Sequence, residues 1–431
     1  MAGTLITRGV ARADWPQFRG PHGDGRAEAR DLPHSWSVLR NLDWQVSLPG
    51  SGWSSPVVVG ERIWLTAAEP QVYRDEQKEE REAALADKPS DYQAHAAVTL
   101  LAIEVDVTSG RLLRRIELGV VPRPPPIHPW NSYASATPVT DGERLVCHFA
   151  SLGTYAIDVR SGRTLWQRRI EVDDSLGGGG SPILAGPAVI VACDGESSQS
   201  ILALHKETGE TLWQTPRPPL DVVADRQRVA CSTPLLVQHG EQEQVIVPGA
   251  QWIVAYDPRT GREWWRVNHG VGYHVVPRPV YAAGRVYCCT GYPKPQLWAI
   301  RVTGNGDVTT THVDWIYDRQ VPEVASPALV GDEIYLVSVV GVVNCLDRRS
   351  GQHLWQTRLN STVVASPLVA DGKLYVCCRD GVTVTLQQGR ELHELGRSQM
   401  GGLQAASPAV WQNSLIFRSS EGLYRVRSGE R

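Results

Sequence analysis

Apolar runs in this chain are short, and a turn closes nearly every one. Each cycle opens on a small hydroxylic residue followed by proline: Ser55-Pro56, Thr137-Pro138, Ser181-Pro182, Thr233-Pro234, Ser326-Pro327, Ser366-Pro367 and Ser407-Pro408, with Arg278-Pro279 as a degenerate eighth copy. A few apolar residues follow, then a turn such as Gly60-Glu61, Asp141-Gly142, Gly331-Asp332 or Asp371-Gly372. A second strand comes next, as in Ile63-Trp64-Leu65, Leu145-Val146-Cys147, Val286-Tyr287-Cys288 or Leu374-Tyr375-Val376. A third strand ends in a glycine turn with tryptophan four residues beyond it. Four copies are close to identical: Asp158 to Gly162 to Trp166, His205 to Gly209 to Trp213, Asp257 to Gly261 to Trp265, and Asp347 to Gly351 to Trp355. Aspartate can bond backbone amides and glycine accepts positive φ, so this ending predicts a tight hairpin. The tryptophan then opens a fourth, outer strand, where its ring can cover the gap to the next unit.

The spacing of the hydroxyl-proline pairs is 44, 52, 45, 48, 40 and 41 residues after the second copy, and 82 between the first two. A period of 40–50 residues is that of a four-stranded propeller blade, and the long first gap implies an insertion in blade one. The unit beginning at Pro408 has only three strands before the chain stops, while Leu42 to Val46 forms an orphan strand ahead of Pro56. The expectation is an all-β, eight-bladed β-propeller of four-stranded antiparallel blades, with blade eight completed and the ring closed by the N-terminal strand. Such closure removes exposed sheet edges. The expected organisation is a leader or signal-peptide remnant over 1–13, an N-terminal arm over 14–41, and a single propeller over 42–431 with a charged helical insertion at 68–98.

Length alone would suggest about three domains for 431 residues, and the repeat replaces that expectation with one. A net charge of −3 argues against a broad nucleic-acid footprint, and no apolar run is long enough to span a membrane. The 15 tryptophans stand against 3 phenylalanines. Outer-strand starts account for Trp44, Trp166, Trp213, Trp265, Trp315 and Trp355, which leaves chiefly Trp53 and Trp130 for function.

The Ala-x-Asp-x-x-Ser/Thr-Gly-x-x-x-Trp ending resembles the tryptophan-docking motif of the pyrroloquinoline-quinone (PQQ) type β-propellers, and the resemblance covers residues 40–431. That superfamily includes eight-bladed quinone-dependent alcohol dehydrogenases and the non-catalytic scaffold lipoprotein of the outer-membrane β-barrel assembly machinery. The opening Asp14-Trp15-Pro16-Gln17-Phe18-Arg19-Gly20-Pro21 and the run Asn131 to Pro138 resemble a narrower group of PQQ-like repeat proteins abundant in Planctomycetes. The dehydrogenase resemblance would imply a quinone over the channel, stacked on tryptophan. Beside it would lie Ca²⁺ held by Glu, Asn and Asp, and a ring of adjacent disulfide-bonded cysteines.

Two adjacent cysteine pairs occur, Cys288-Cys289 and Cys377-Cys378, at what read as equivalent positions of second strands in blades five and seven. Neighbouring strand residues point to opposite faces, so each pair is expected to put one small side chain into each blade interface. No cluster of carboxylates matches the metal site, and neither a CxxC pair nor a HExxH helix is present. The run Gly177 to Gly180 lacks the Lys-Ser/Thr of a phosphate loop and leads into a strand; close approach at an axis explains it.

Residues just before each Ser/Thr-Pro are expected to gather around the channel entrance. Crowding explains the small ones there, and explains Trp53, Tyr133, His274, Glu323 and Gln404 less well. The loop Pro122 to Asn131 is stiffened by proline and can hold His128 and Trp130 over the mouth. The expected ligand or peptide patch is therefore Trp53, His128, Trp130, Asn131, Tyr133, His274 and Arg278, with no catalytic residue and no metal site.

Residues 75–86 are strong helix formers with few apolar positions, so they predict a solvated helix that can dock a protein partner. Ala11-Arg12-Ala13 fits a small-x-small cleavage site without the preceding apolar region, which predicts an exported, periplasmic protein with a truncated signal; the alternative is cytoplasmic. The functional expectation is a monomeric, non-catalytic scaffold for an unknown protein or peptide partner, needing no cofactor. Its rival is an oxidoreductase dependent on PQQ and calcium.

Overall fold

The computed structural model describes residues 15–173, 177–222, 224–270 and 272–429. The expected leader, together with Asp14, lies outside the described residues. The strands form eight sheets, each built on four antiparallel strands that run in chain order from axis to rim in blades one to seven; two of the sheets gain a short fifth, parallel strand. Blade one, for example, runs Val57–Val59, Arg62–Gln71, Ala97–Asp106 and Leu112–Pro122. Blade eight is assembled from both chain ends, as the orphan strand predicted: Leu42–Val46 pairs antiparallel with Gly422–Arg427, Leu42 opposite Val426 and Val46 opposite Leu423.

The core lies between blades, because alternate residues of each strand face alternate neighbours. Ile63 and Leu65 pack toward blade eight, whereas Trp64 between them packs toward blade two. The cysteine pairs obey the same rule. Cys288 enters the interface of blades four and five and Cys289 that of five and six, while Cys377 faces blade eight and Cys378 blade six. All are free thiols. Their positions are not equivalent, however. Cys288 directly follows Tyr287, but Val376 intervenes between Tyr375 and Cys377, a one-residue offset that leaves Cys378 just past its strand.

Outer-strand tryptophans bind the blades rim to rim. The indole N–H of Trp166 donates to Lys206 O at 2.9 Å, that of Trp213 to Pro258 O at 3.1 Å, and that of Trp44 to Val107 O at 3.0 Å. In each case the acceptor directly follows the first residue of the next blade's hairpin. The hairpin glycine lets the ring lie flat: a Cβ on Gly209, already at φ 73°, would sit 2.7 Å from the Trp166 ring. Blade one departs from the pattern. Arg114 stands where the tryptophan would, lies over the Trp64 ring and donates to Val159 O at 2.6 Å, the same carbonyl position. Trp265 departs too, donating instead to Gln244 Oε1 at 2.8 Å, while Gln244 passes the link to Val302 O of blade five.

At the axis, the hydroxyl of each Ser/Thr-Pro pair accepts the backbone N–H of its counterpart one blade earlier. Ser55 donates to Thr137, Thr137 to Ser181 and Ser181 to Thr233 at 2.9–3.0 Å. Arg278 donates to Ser326, Ser326 to Ser366, Ser366 to Ser407 and Ser407 to Ser55 at 2.9–3.1 Å. Proline directly after each hydroxyl keeps that residue extended and brings no further N–H to the crowded axis.

Below this girdle the N-terminal arm fills the channel, a role the sequence did not suggest. Trp15 bridges Val58 of blade one, Pro16 O accepts from Thr140 of blade two, and Arg26–Ala27 pairs in parallel with Val369–Ala370 of blade seven. The arm then leaves between blades seven and eight, where Trp36 packs 5.1 Å from Phe417, before becoming the outer strand of blade eight.

Replacing Trp213 with alanine removes the rim contact and its cavity-filling ring, and is expected to destabilise by about 3–5 kcal/mol in denaturant unfolding. Phenylalanine, which loses chiefly the N–H bond, should cost about 1 kcal/mol. A phenylalanine variant as stable as the wild type would show that the bond to Pro258 contributes nothing.

The hairpin carboxylates make a second prediction. Arg390 and the Ser350 side chain and amide hold Asp347 down from its ordinary 3.8 to about 2. Because the unfolded chain takes up this proton first, the hairpin's contribution is complete above the ordinary value and is lost as pH falls toward about 2. Asp347→Asn should flatten that part of the acid-unfolding curve and leave the rest unmoved.

Candidate functional site at the channel mouth

On the face opposite the hairpins the channel opens as a cup of about 310 Å³. Its wall comes from the residue two before each axial position: Trp53, Ser135, Gly179, Cys231, Val276, Val324, Val364 and Ala405. The extended chain turns every second side chain inward, so the next inward layer is the hydroxyl girdle itself. Phe18 of the arm also lines the cup. The same alternation turns Glu323 and Gln404 out of the cup. Glu323 lines a separate surface depression, and Gln404 is buried near Gly381 O.

Of the seven expected patch residues, Trp53, His128, Trp130, Asn131 and His274 line the cup. Trp130 is half exposed, and the guanidinium of Arg379 lies 5.1 Å from its ring. The Trp130 N–H donates to His128 Nδ1 at 3.2 Å, which leaves the His128 proton on Nε2. Asn131 ties the loop to the glycine run, donating from Nδ2 to Gly177 O at 2.6 Å. His274 adopts φ 49°, donates its backbone N–H to Val229 O at 2.8 Å and packs 4.9 Å from the Tyr273 ring. Burial lowers its pKa and favours the neutral ring.

Tyr133 and Arg278 sit elsewhere. The Tyr133 hydroxyl donates to Pro125 O at 2.9 Å and meets His95 Nδ1 at 3.3 Å, bracing the proline loop from behind. The charged insertion supplies that brace. Its residues 75–85 form a 3-10 turn and a helix with no buried side chain, as composition predicted. Its returning strand pairs Gln93 with Ile127 and sets the Tyr92 ring edge-on to His128 at 5.5 Å. Arg278 is fully buried and holds the arm through Phe18 O at 2.6 Å and Gln17 Oε1 at 3.1 Å, while its Nε donates to Pro234 O of blade four at 3.1 Å. Burial and the nearby Arg19 lower its pKa to about 9, which leaves it cationic at neutral pH. Sequence reasoning missed Phe18 and Arg379; only the motif around Phe18 carried a signal.

Among the described residues the lining includes no Asp, Glu, Lys or Arg. Among the described residues no group of three or more His, Cys, Asp or Glu side chains is placed to hold a metal ion. A calcium-held, multiply anionic quinone asks for carboxylate ligands to the metal, and the cup's donor set does not match it.

Tryptophan-docked blades around this cup define a β-propeller of the PQQ-like repeat class, with a quinoprotein-dehydrogenase-like fold. Within that class the chain belongs to the family described as outer membrane protein assembly factor BamB, which matches residues 102–251 and 249–430. It is 22% identical over 284 residues to that factor from Yersinia pestis, covering 62% of this chain and 67% of that one. To the Burkholderia pseudomallei factor it is 24% identical over 236 residues, 53% and 56% of the two chains. With the Marinobacter adhaerens factor it shares 23% over 105 residues, 24% of this chain and 26% of the other. The chain thus spans from about a quarter to two thirds of these curated relatives.

The solved structure of BamB from Moraxella catarrhalis superposes with TM-score 0.56 at 18% identity, covering 78% of this chain and 94% of that one. Quinohemoprotein alcohol dehydrogenase from Comamonas testosteroni superposes with TM-score 0.62 at 13% identity, over all of this chain and 83% of that one. At these identities both likenesses speak for fold.

Arg278→Leu should release the arm. Exchange of the Val58 and Val369 amides, which donate to Trp15 O and Gly25 O, is expected to quicken about tenfold or more while outer-strand amides stay protected. Unchanged protection at both would show that Arg278 does not hold the plug.

Proposed function

We propose that this protein is a non-catalytic scaffold of the bacterial cell envelope, working on the periplasmic side in outer-membrane protein assembly. Its channel mouth would receive an apolar segment of a partner protein. Family membership supports the setting, and no helix among the described residues is long and apolar enough to cross a membrane. The observation that carries the reading is the cup: aromatic at the rim, apolar along much of the wall, without charged lining among the described residues, and stiffened by a braced proline loop. Such a surface suits hydrophobic recognition at low ordering cost. The quinone- and calcium-dependent alternative draws on the dehydrogenase likeness in fold, and the uncharged lining weighs against it.

The test is in-cell cross-linking and co-purification of the full chain. A partner held by the wild type should be lost from Trp53→Ala and Trp130→Ala, at a cost of about 2 kcal/mol or more in binding, with unfolding midpoints unmoved. Equal capture by both variants would refute binding through the mouth. A saturable spectral change with quinone and Ca²⁺, coupled to alcohol-dependent dye reduction, would establish the rival reading.

A further inference from the structure

The girdle hydroxyls are only half used. Ser55, Thr137, Ser181, Thr233, Ser326, Ser366 and Ser407 are each more than nine-tenths buried and line the cup. Each accepts one backbone N–H, and among the described residues no O–H of the seven has a protein acceptor within hydrogen-bond reach. A hydroxyl that accepts a bond becomes a better donor, so seven polarised O–H groups converge on one apolar cup.

Among the described residues no carboxylate lines the cup they face. The positive charges nearby lie behind the wall and beneath Phe18: Arg418 donates to Ser54 O and Thr66 O, Arg278 holds the arm, and Arg19 donates to Pro327 O. All three guanidiniums are buried, and among the described residues none has a carboxylate within salt-bridge distance. Asp24 acts on Arg19 and Arg278 only at longer range. Polarised donors without a protein acceptor, backed by cations without a carboxylate partner, favour a ligand that brings an anionic acceptor.

We propose that the mouth binds a monocarboxylate with an apolar body, its carboxylate accepting from the hydroxyl girdle while the body packs against Trp53, Val276, Val324 and Val364. This rests on the mouth being the binding site, and it specifies the chemistry admitted there. Two sources share that chemistry: a free small carboxylic acid, and the carboxy-terminal end of a polypeptide. At about 310 Å³ the cup has room for one aromatic or branched side chain with its carboxylate.

Titration calorimetry with 3-phenylpropionate and with its neutral amide tests the idea on the whole protein. Saturable binding of the acid, about tenfold or more tighter than the amide, is expected. Ala405→Trp fills the cup without removing a hydroxyl and should abolish the signal; Ser366→Ala removes one donor and should weaken the acid several-fold while leaving the amide unchanged. A short peptide ending in a free apolar residue, compared with its amidated form, separates the sources. Preference for the free-ended peptide over phenylpropionate assigns a chain end, and the reverse assigns a small acid.

Equal affinity for acid and amide, or acid binding that survives Ala405→Trp, overturns the proposal. Either outcome leaves partner capture through Trp53 and Trp130 standing. Conversely, acid binding without partner capture would sink the scaffold reading alone.

Discussion

The hydrogen bond from one blade's axial N–H to the next blade's axial hydroxyl is the constraint that the rest of the structure depends on. Eight sheets meeting at an axis bring eight backbone donors together, and buried donors must be satisfied. A side chain that accepts across the gap, followed by a proline that adds no donor, meets that demand at seven of the eight steps. The girdle sets the blade spacing, the spacing sets the cup's width, and the inward alternation above it decides which side chains a ligand meets.

The eighth step shows what happens when the rule is broken. Arg278 has no hydroxyl to offer, and its guanidinium turns to the arm's carbonyls. A repeat that is degenerate in sequence is thus specialised in structure: the residue that lacks the hydroxyl still donates across the gap to Pro234 O and also anchors a plug.

The fold was legible because its constraints are local and repeated. Hydroxyl-proline pairs, Asp-to-Gly hairpins and the tryptophan four residues later each report a nearest-neighbour requirement, and period alone counts the blades. The site was legible only in part. Trp53, His128, Trp130, Asn131 and His274 stood out as bulky residues where crowding favours small ones. Tyr133 and Arg278 met the same criterion for other reasons, one bracing a loop and one binding the arm. Phe18 was out of reach because its place depends on a contact spanning 260 residues, from its carbonyl to Arg278. Spacing cannot register such a pairing. The one-residue offset of the two cysteine pairs was present in the sequence, but telling it required aligning both on the preceding tyrosine.

The route of the arm bears on how the molecule reaches its native state. Residues 15–27 lie against inner strands of blades one and seven, and residues 42–46 finish blade eight. Val58 is near Trp15 in sequence, but the partners of Arg26–Ala27 and Leu42–Val46 lie in blades seven and eight, far along the chain. Blades two to six can form from neighbours in sequence, whereas residues 26–27 and 42–46 stay unpaired until blades seven and eight are in place. Contacts of such long sequence separation are slow to form. The interval before they do is when the nascent ring presents an open channel and an unfinished sheet edge, and when it has most need of a chaperone.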